Sequence, residues 1–108
     1  MSDLVDQKIL NLLGLAQRAG KIISGEFPVE KAVRAGKVKL ILLAQDSSDG
    51  TKKNFSDMAQ FYNITLHYVL SKQTLGRCIG KDYRAAIALN DTGFIEHLLK
   101  LINVDDKK

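Results

Sequence analysis

Five consecutive apolar residues, Leu40-Ile41-Leu42-Leu43-Ala44, stand between Lys39 and Gln45. The run has strand length and no alternation, so it reads as a strand covered on both faces. A chain with such a strand must supply a layer on each side of it. The segment leading into the run carries the signals for one such layer. Ile22-Ile23 is a short β-branched strand signal, and Gly25 permits a turn that a Cβ would hinder. Pro28 suits the first position of a helix, where its fixed φ fits and its missing N–H is no loss. Gly36 supplies the left-handed residue that stops a helix. Gly20 to Asp46 therefore reads as strand, glycine turn, basic helix, glycine stop and buried strand. The helix start after Gly25 projects backbone donors and a partial positive charge, with Lys31 and Arg34 behind it. That geometry suits a phosphate or another anion.

The flanking segments extend the same alternation. Ser2 or Asp3 can cap a first helix that Gly20 ends, with Val5, Ile9, Leu12, Ala16 and Ala19 on its inward stripe and Leu13 and Leu15 widening it. Packing on a sheet is enough to explain that stripe. Asp46-Ser-Ser-Asp-Gly50 is a dense loop and cap signal, followed by a helix over Thr51 to Asn63 with Phe55, Met58, Ala59 and Tyr62 inward. Ile64 to Leu70 reads as a strand that alternates Leu66, Tyr68 and Leu70 with Thr65, His67 and Val69. Ser71 caps a helix from Lys72 to Ile79, closed by Gly80, and close approach to the sheet accounts for Gly76. Ala85 to Leu89 is a small-residue central strand, and Phe94, Ile95, Leu98, Leu99 and Ile102 face inward on a last helix. Residues 104–108 read as a frayed tail of a single domain spanning 1–108. Strands alternating with helices argue for an α/β sandwich, with mainly parallel pairing suggested by the alternation alone.

Charge narrows the partners. The net charge of +4 is modest, but its distribution is not even. Arg18, Lys21, Lys31, Arg34, Lys37 and Lys39 face only Glu26 and Glu30 within one stretch, and Lys72, Arg77, Lys81 and Arg84 face only Asp82 in another. Two basic loop-and-helix regions on one small domain suggest a polyanion-binding face, against the plainer reading of solvated basic helices. Cys78 is the only cysteine, so no disulfide framework exists and a reducing compartment is expected. There is no secretory leader pattern and no apolar run of about 18 residues, so a soluble cytoplasmic protein with no membrane partner is expected.

Reactive groups do not converge. His67 lies in a strand pattern and His97 on a polar helix face, and neither has metal-ligand spacing with the other, with Cys78 or with a carboxylate. Cys78 reads as packing, and Asp46 and Asp49 as loop and cap residues. No dinucleotide or P-loop glycine pattern occurs.

Two separated segments, in order, resemble a known family. The first is Gly20-Lys-Ile-Ile-Ser-Gly25 with Lys31-Ala-Val-Arg-Ala-Gly36-Lys-Val-Lys-Leu-Ile-Leu-Leu-Ala44, and the second is Ser71-Lys-Gln-Thr-Leu-Gly-Arg-Cys-Ile-Gly80. Both are similar to the ribosomal-protein superfamily that binds kink-turn RNA, typified by the archaeal protein L-seven-Ae. Asn11-Leu-Leu-Gly-Leu-Ala-Gln-Arg-Ala-Gly20 and Asn90-Asp-Thr-Gly-Phe94 make the match best with its bacterial YlxQ-type branch. The resemblance runs from about Lys8 to Leu101. It implies a three-layer α-β-α sandwich with a mixed four-stranded sheet, no enzymatic activity and no cofactor. It also implies RNA contacts at Gly25, Glu26, Phe27, Pro28 and Lys31, and at Val69, Leu70, Ser71 and Lys72. One departure matters: Phe27-Pro28 stands where kink-turn binders carry an Asn-Glu pair that reads base edges.

The expected protein is a monomeric, non-catalytic binder of ribosomal or other structured RNA. Lys31, Lys72 and Arg34 would neutralise phosphates, and Phe27 would either stack on an unpaired base or staple its own helix. Two other readings stand beside it: a protein-interaction module that kept the fold and lost RNA, and the substrate-binding partner domain of an RNA-modifying enzyme.

Overall fold

A computed structural model describes residues 3–106. Ser2, one of the two expected caps of the first helix, lies outside that range, as do residues 107 and 108 of the expected tail. The elements run α1 (Asp3–Arg18), β1 (Ile22–Ser24), α2 (Glu26–Arg34), β2 (Leu40–Leu43), α3 (Asp49–Tyr62), β3 (Thr65–Tyr68), α4 (Lys72–Cys78), β4 (Ala86–Leu89) and α5 (Thr92–Asp106). Residues 104–106 of the expected tail continue α5.

The strands form one sheet in the order β1-β4-β2-β3. Only β2 and β3 are parallel, whereas β4 runs antiparallel to both β1 and β2. The sheet is therefore mixed, as the resemblance implied and as the element alternation alone did not. β2 and β4 occupy the centre, and every residue of both is buried. Their side chains divide between two cores. Leu40, Leu42, Ile87 and Leu89 pack with α1, α4 and α5 on one face. Ile41, Leu43, Ala86 and Ala88 pack with α2 and α3 on the other. This is the α-β-α sandwich, and the unalternating apolar run is its middle.

Several local readings are corrected. Gly25 is the N-cap of α2, so Pro28 is its third residue rather than its first. The position still tolerates proline, because the first-turn N–H groups of a helix have no intrahelical acceptor. Ser48 caps α3 by accepting a hydrogen bond from the Thr51 N–H at 3.1 Å, so that helix begins at Asp49, and Asn63 closes it in the left-handed region with φ 56°. Leu15 is half exposed and Ala19 exposed, because α5 and α4 as well as the sheet cover α1 and set which stripe is inward. β3 is an edge strand that stops at Tyr68, and Tyr68 is partly exposed. Val69 and Leu70 both enter the α1/α4/α5 core. Leu70 has φ 60°, and this left-handed residue breaks the strand alternation. Gly76 approaches the Asp82–Tyr83 backbone, not the sheet: a Cβ there would lie 2.5 Å from the Asp82 carbonyl oxygen.

Candidate nucleic-acid interface

The turn into α2 is fixed by backbone geometry. Gly25 adopts φ 99° and ψ 148°, a region essentially reserved for glycine. Its N–H donates to the Ala86 carbonyl at 2.9 Å, and its carbonyl accepts from the Val29 N–H at 3.0 Å. The glycine thus ties the helix start to β4. No side chain caps α2, which leaves the Glu26 and Phe27 N–H groups at its first turn. Glu26 Oε1 accepts a hydrogen bond from Thr51 Oγ1 at 3.2 Å, and that hydroxyl accepts from Ser48 Oγ at 2.9 Å. Glu30 Oε1 accepts from Asn54 Nδ2 at 2.7 Å. The acidic residues of α2 are therefore turned toward α3, and Lys31 is exposed. Phe27 is 74% exposed, so the expected staple is not made and the ring is open to solvent.

β1, β2 and β3 all end at the same end of the sheet, and β4 starts there. Four hydrogen bonds stitch the loops at that end together. Besides Gly25 to Ala86, the Ala44 N–H donates to the Ala85 carbonyl at 2.8 Å, Gln45 N–H to Leu70 at 2.9 Å and Arg84 N–H to Lys72 at 3.0 Å. The Gly25–Lys31 and Ser71–Lys72 segments, separated by some forty residues of sequence, are thereby brought to one end of one sheet. Arg34 is not part of this gathering. It is eight residues beyond Glu26, about 12 Å along the helix axis, toward the opposite end.

The second segment is built differently from the first. Ser71 Oγ accepts from the Thr74 N–H at 3.1 Å, and Asp46 Oδ1 accepts from the Lys72 N–H at 2.8 Å. The donors of this helix start are thus largely occupied from within, unlike those of α2. Asp46 instead locks the loop after β2 onto α4. Val69 is fully buried and Leu70 nearly so, so their side chains belong to the core and position the turn. Lys72 is half-buried rather than exposed, and its carbonyl holds Arg84. Sequence reading did not place Thr51 and Asn54 beside α2, and it counted Lys81 and Arg84 in the second basic region without showing that their loop folds back onto α4. The cap signal at 46–50 pointed toward the first, but only the fold shows that it reaches α2.

No reactive constellation forms among the described residues. Among the described residues no group of three or more His, Cys, Asp or Glu side chains could hold a metal ion. Burial pushes the Cys78 thiol up from 9.0 to about 11, partly offset by a backbone hydrogen bond, and its Sγ donates to the Leu75 carbonyl at 3.2 Å. Such a thiol is protonated and unreactive at neutral pH. Among the described residues no helix is long and apolar enough to cross a membrane.

A model of the ribosomal protein L7Ae/L30e/S12e/Gadd45 family matches residues 7–99. The chain belongs to that family. Within it this is a YlxQ-type member, 42% identical over 92 residues to the RNA-binding protein YlxQ of Bacillus subtilis, covering 85% of this chain and 92% of that one. It is 31% identical over 98 residues to the large ribosomal subunit protein eL8 of Cenarchaeum symbiosum, covering 90% of this chain and 77% of that one. A solved structure of a protein of unknown function from Bacillus halodurans C superposes with TM-score 0.84 at 44% identity, over 89% of this chain and 97% of that one. The Giardia lamblia 15.5kD RNA binding protein superposes with TM-score 0.76 over 95% of this chain and 88% of that one. At 17% identity that last likeness speaks for the shared L7Ae-type fold alone. YlxQ is named as an RNA-binding protein and eL8 as a ribosomal protein, neither as an enzyme.

Proposed function

We propose that this L7Ae-family chain is a non-catalytic RNA-binding protein of the cytoplasm. Its partner is ribosomal or another structured RNA, and its contact surface is the sheet end that carries Gly25–Lys31 and the Ser71–Lys72 turn. The observation that carries the reading is the joining of those two segments by the loop hydrogen bonds. In that arrangement Gly25 keeps side-chain bulk away from the backbone, the uncapped α2 start and Lys31 face phosphate, and Lys72 adds a second cation. The names of the YlxQ and eL8 relatives support RNA as the polyanion.

Specificity follows from Phe27-Pro28. Neither side chain can hydrogen-bond a base edge, so tandem G·A pairs would lose two partners. Each loss costs ~1–3 kcal/mol, and about 1.4 kcal/mol is a factor of ten. The test is binding to a kink-turn RNA and to the same RNA with its G·A pairs replaced. Comparable affinities that weaken with salt are expected, and Phe27→Asn with Pro28→Glu should restore part of the discrimination. Nanomolar, G·A-dependent binding by the parent would overturn this account of specificity. One observation favours a second reading: the exposed Phe27 ring beside Pro28 would suit a protein partner, and salt-independent binding to a protein, with none to RNA, would establish it.

A further inference from the structure

The loop between α4 and β4, whose Lys81 and Arg84 belong to the second basic region of the sequence, is fastened to the Ser71–Lys72 turn. Lys81 N–H donates to the Gly76 carbonyl at 2.8 Å, and Arg84 N–H donates to the Lys72 carbonyl at 3.0 Å. Between these points the Asp82–Tyr83 backbone lies against Gly76 so closely that a Cβ would overlap it. The loop therefore runs back along α4 and ends beside the Ser71–Lys72 turn. Arg84 Nη1 also donates to the neighbouring Tyr83 carbonyl at 2.7 Å. On this held backbone the Tyr83 side chain is 62% exposed.

Tyr83 borders a cleft of about 440 Å³ lined also by Gln73, Arg77, Lys81 and Asp82. Its charge is two cations against one carboxylate, with Arg84 adjoining, so the surroundings favour an anion. Its one aromatic face is open, and Gln73 supplies an amide that can both donate and accept. A flat, sequence-tolerant π surface beside cations is what an unpaired nucleotide requires. Bases within a duplex are already stacked and do not offer their faces.

We propose that this cleft is a subsite for one unpaired nucleotide, with the base stacked on Tyr83 and its phosphate held by Arg77 and Lys81. The assignment rests on the RNA-binding reading above and extends it to a part of the chain outside the Gly25–Lys31 and Val69–Lys72 segments. It gives single-stranded flanks of a structured RNA a place to lie.

The probe is a fluorescein-labelled oligouridylate of roughly ten nucleotides, within the ~4–16 nucleotides common for single-strand sites. Tyr83→Ala should weaken its binding by roughly five- to a hundredfold, the effect of losing one stacked base. Tyr83→Phe should bind like the parent, because the π face is kept. Arg77→Ala with Lys81→Ala should flatten the salt dependence by about 0.7 per phosphate released. An oligomer carrying 5-iodouridine should photo-crosslink to the peptide containing Tyr83. If Tyr83→Ala binds like the parent while Lys31→Ala with Lys72→Ala still lowers affinity, the subsite is wrong and the RNA-binding reading stands. If the parent binds neither oligouridylate nor structured RNA, both fall.

Discussion

Replacing Gly76 by Ala sets two effects of opposite sign against each other. Alanine is the better helix former, and the exchange in a helix interior is worth about 1 kcal/mol in its favour. Against this, the new Cβ would meet the Asp82 carbonyl oxygen at 2.5 Å, the Asp82 carbonyl carbon at 2.7 Å and the Tyr83 nitrogen at 2.9 Å. All three are backbone atoms, so no rotamer change relieves the overlap. To bring the first to 3.4 Å of ordinary contact, the loop must retreat by 3.4 − 2.5 = 0.9 Å. The movement acts on two hydrogen bonds, Lys81 N–H to Gly76 at 2.8 Å and Arg84 N–H to Lys72 at 3.0 Å. Each is worth ~0.5–1.5 kcal/mol, and overpacking adds ~1–3 kcal/mol. Subtracting the propensity gain leaves a net loss of roughly 1–5 kcal/mol. In a domain of this length 1 kcal/mol is worth about 4–8 °C of melting temperature, so thermal unfolding followed by circular dichroism resolves it. Gly50→Ala, in the first turn of α3, is the control, because a Cβ there meets nothing within 4 Å and should leave the melting temperature unchanged or raise it. A Gly76→Ala protein as stable as its parent would refute the close approach and the fixed loop that depends on it.

Leu42→Ala removes a fully buried side chain from the centre of β2 and should cost roughly 2–5 kcal/mol in urea unfolding, out of a total of about 5–15 kcal/mol. An unchanged midpoint would mean that β2 is not the central strand. The Cys78 thiol, pushed up to about 11, should alkylate roughly a hundredfold more slowly at pH 8 than a thiol at 9.0, until urea exposes it. Because the folded state holds this proton more tightly, Cys78 adds stability that is complete below pH 9.0 and is lost as pH rises toward about 11. Measured stability that rose across that window in step with thiolate absorbance would contradict the burial.

The sandwich was legible because its signals are local. An unalternating apolar run marks a strand covered twice, and Gly25, Gly36 and Ser71 mark the turns around it. Strand pairing was not legible from alternation, since whether β4 runs with or against β2 depends on connections across the whole sheet. The site divides in the same way. The Gly25 turn and Lys31 could be read from neighbouring residues, whereas the fate of the α4 donors could not. Asp46 occupies one of them from 26 residues away. Leu70 also defeated the alternation rule, because its positive φ puts Val69 and Leu70 into one core. Gly76 reads from the sequence as a point of close approach, but its partner at Asp82 is visible only when the loop folds back.

Lys31 and Lys72 are proposed to hold phosphates at one end of the sheet. The most direct test is the salt dependence of RNA affinity for the parent and for Lys31→Ala with Lys72→Ala. Lys31 is exposed and Lys72 half-buried, so the double variant should remain folded, which its circular dichroism checks. The parent should show log K falling linearly with log salt concentration, and the variant should bind more weakly, with the slope reduced by about one to two units. A correctly folded double variant with unchanged affinity and unchanged slope would contradict the account and place the RNA elsewhere on the protein.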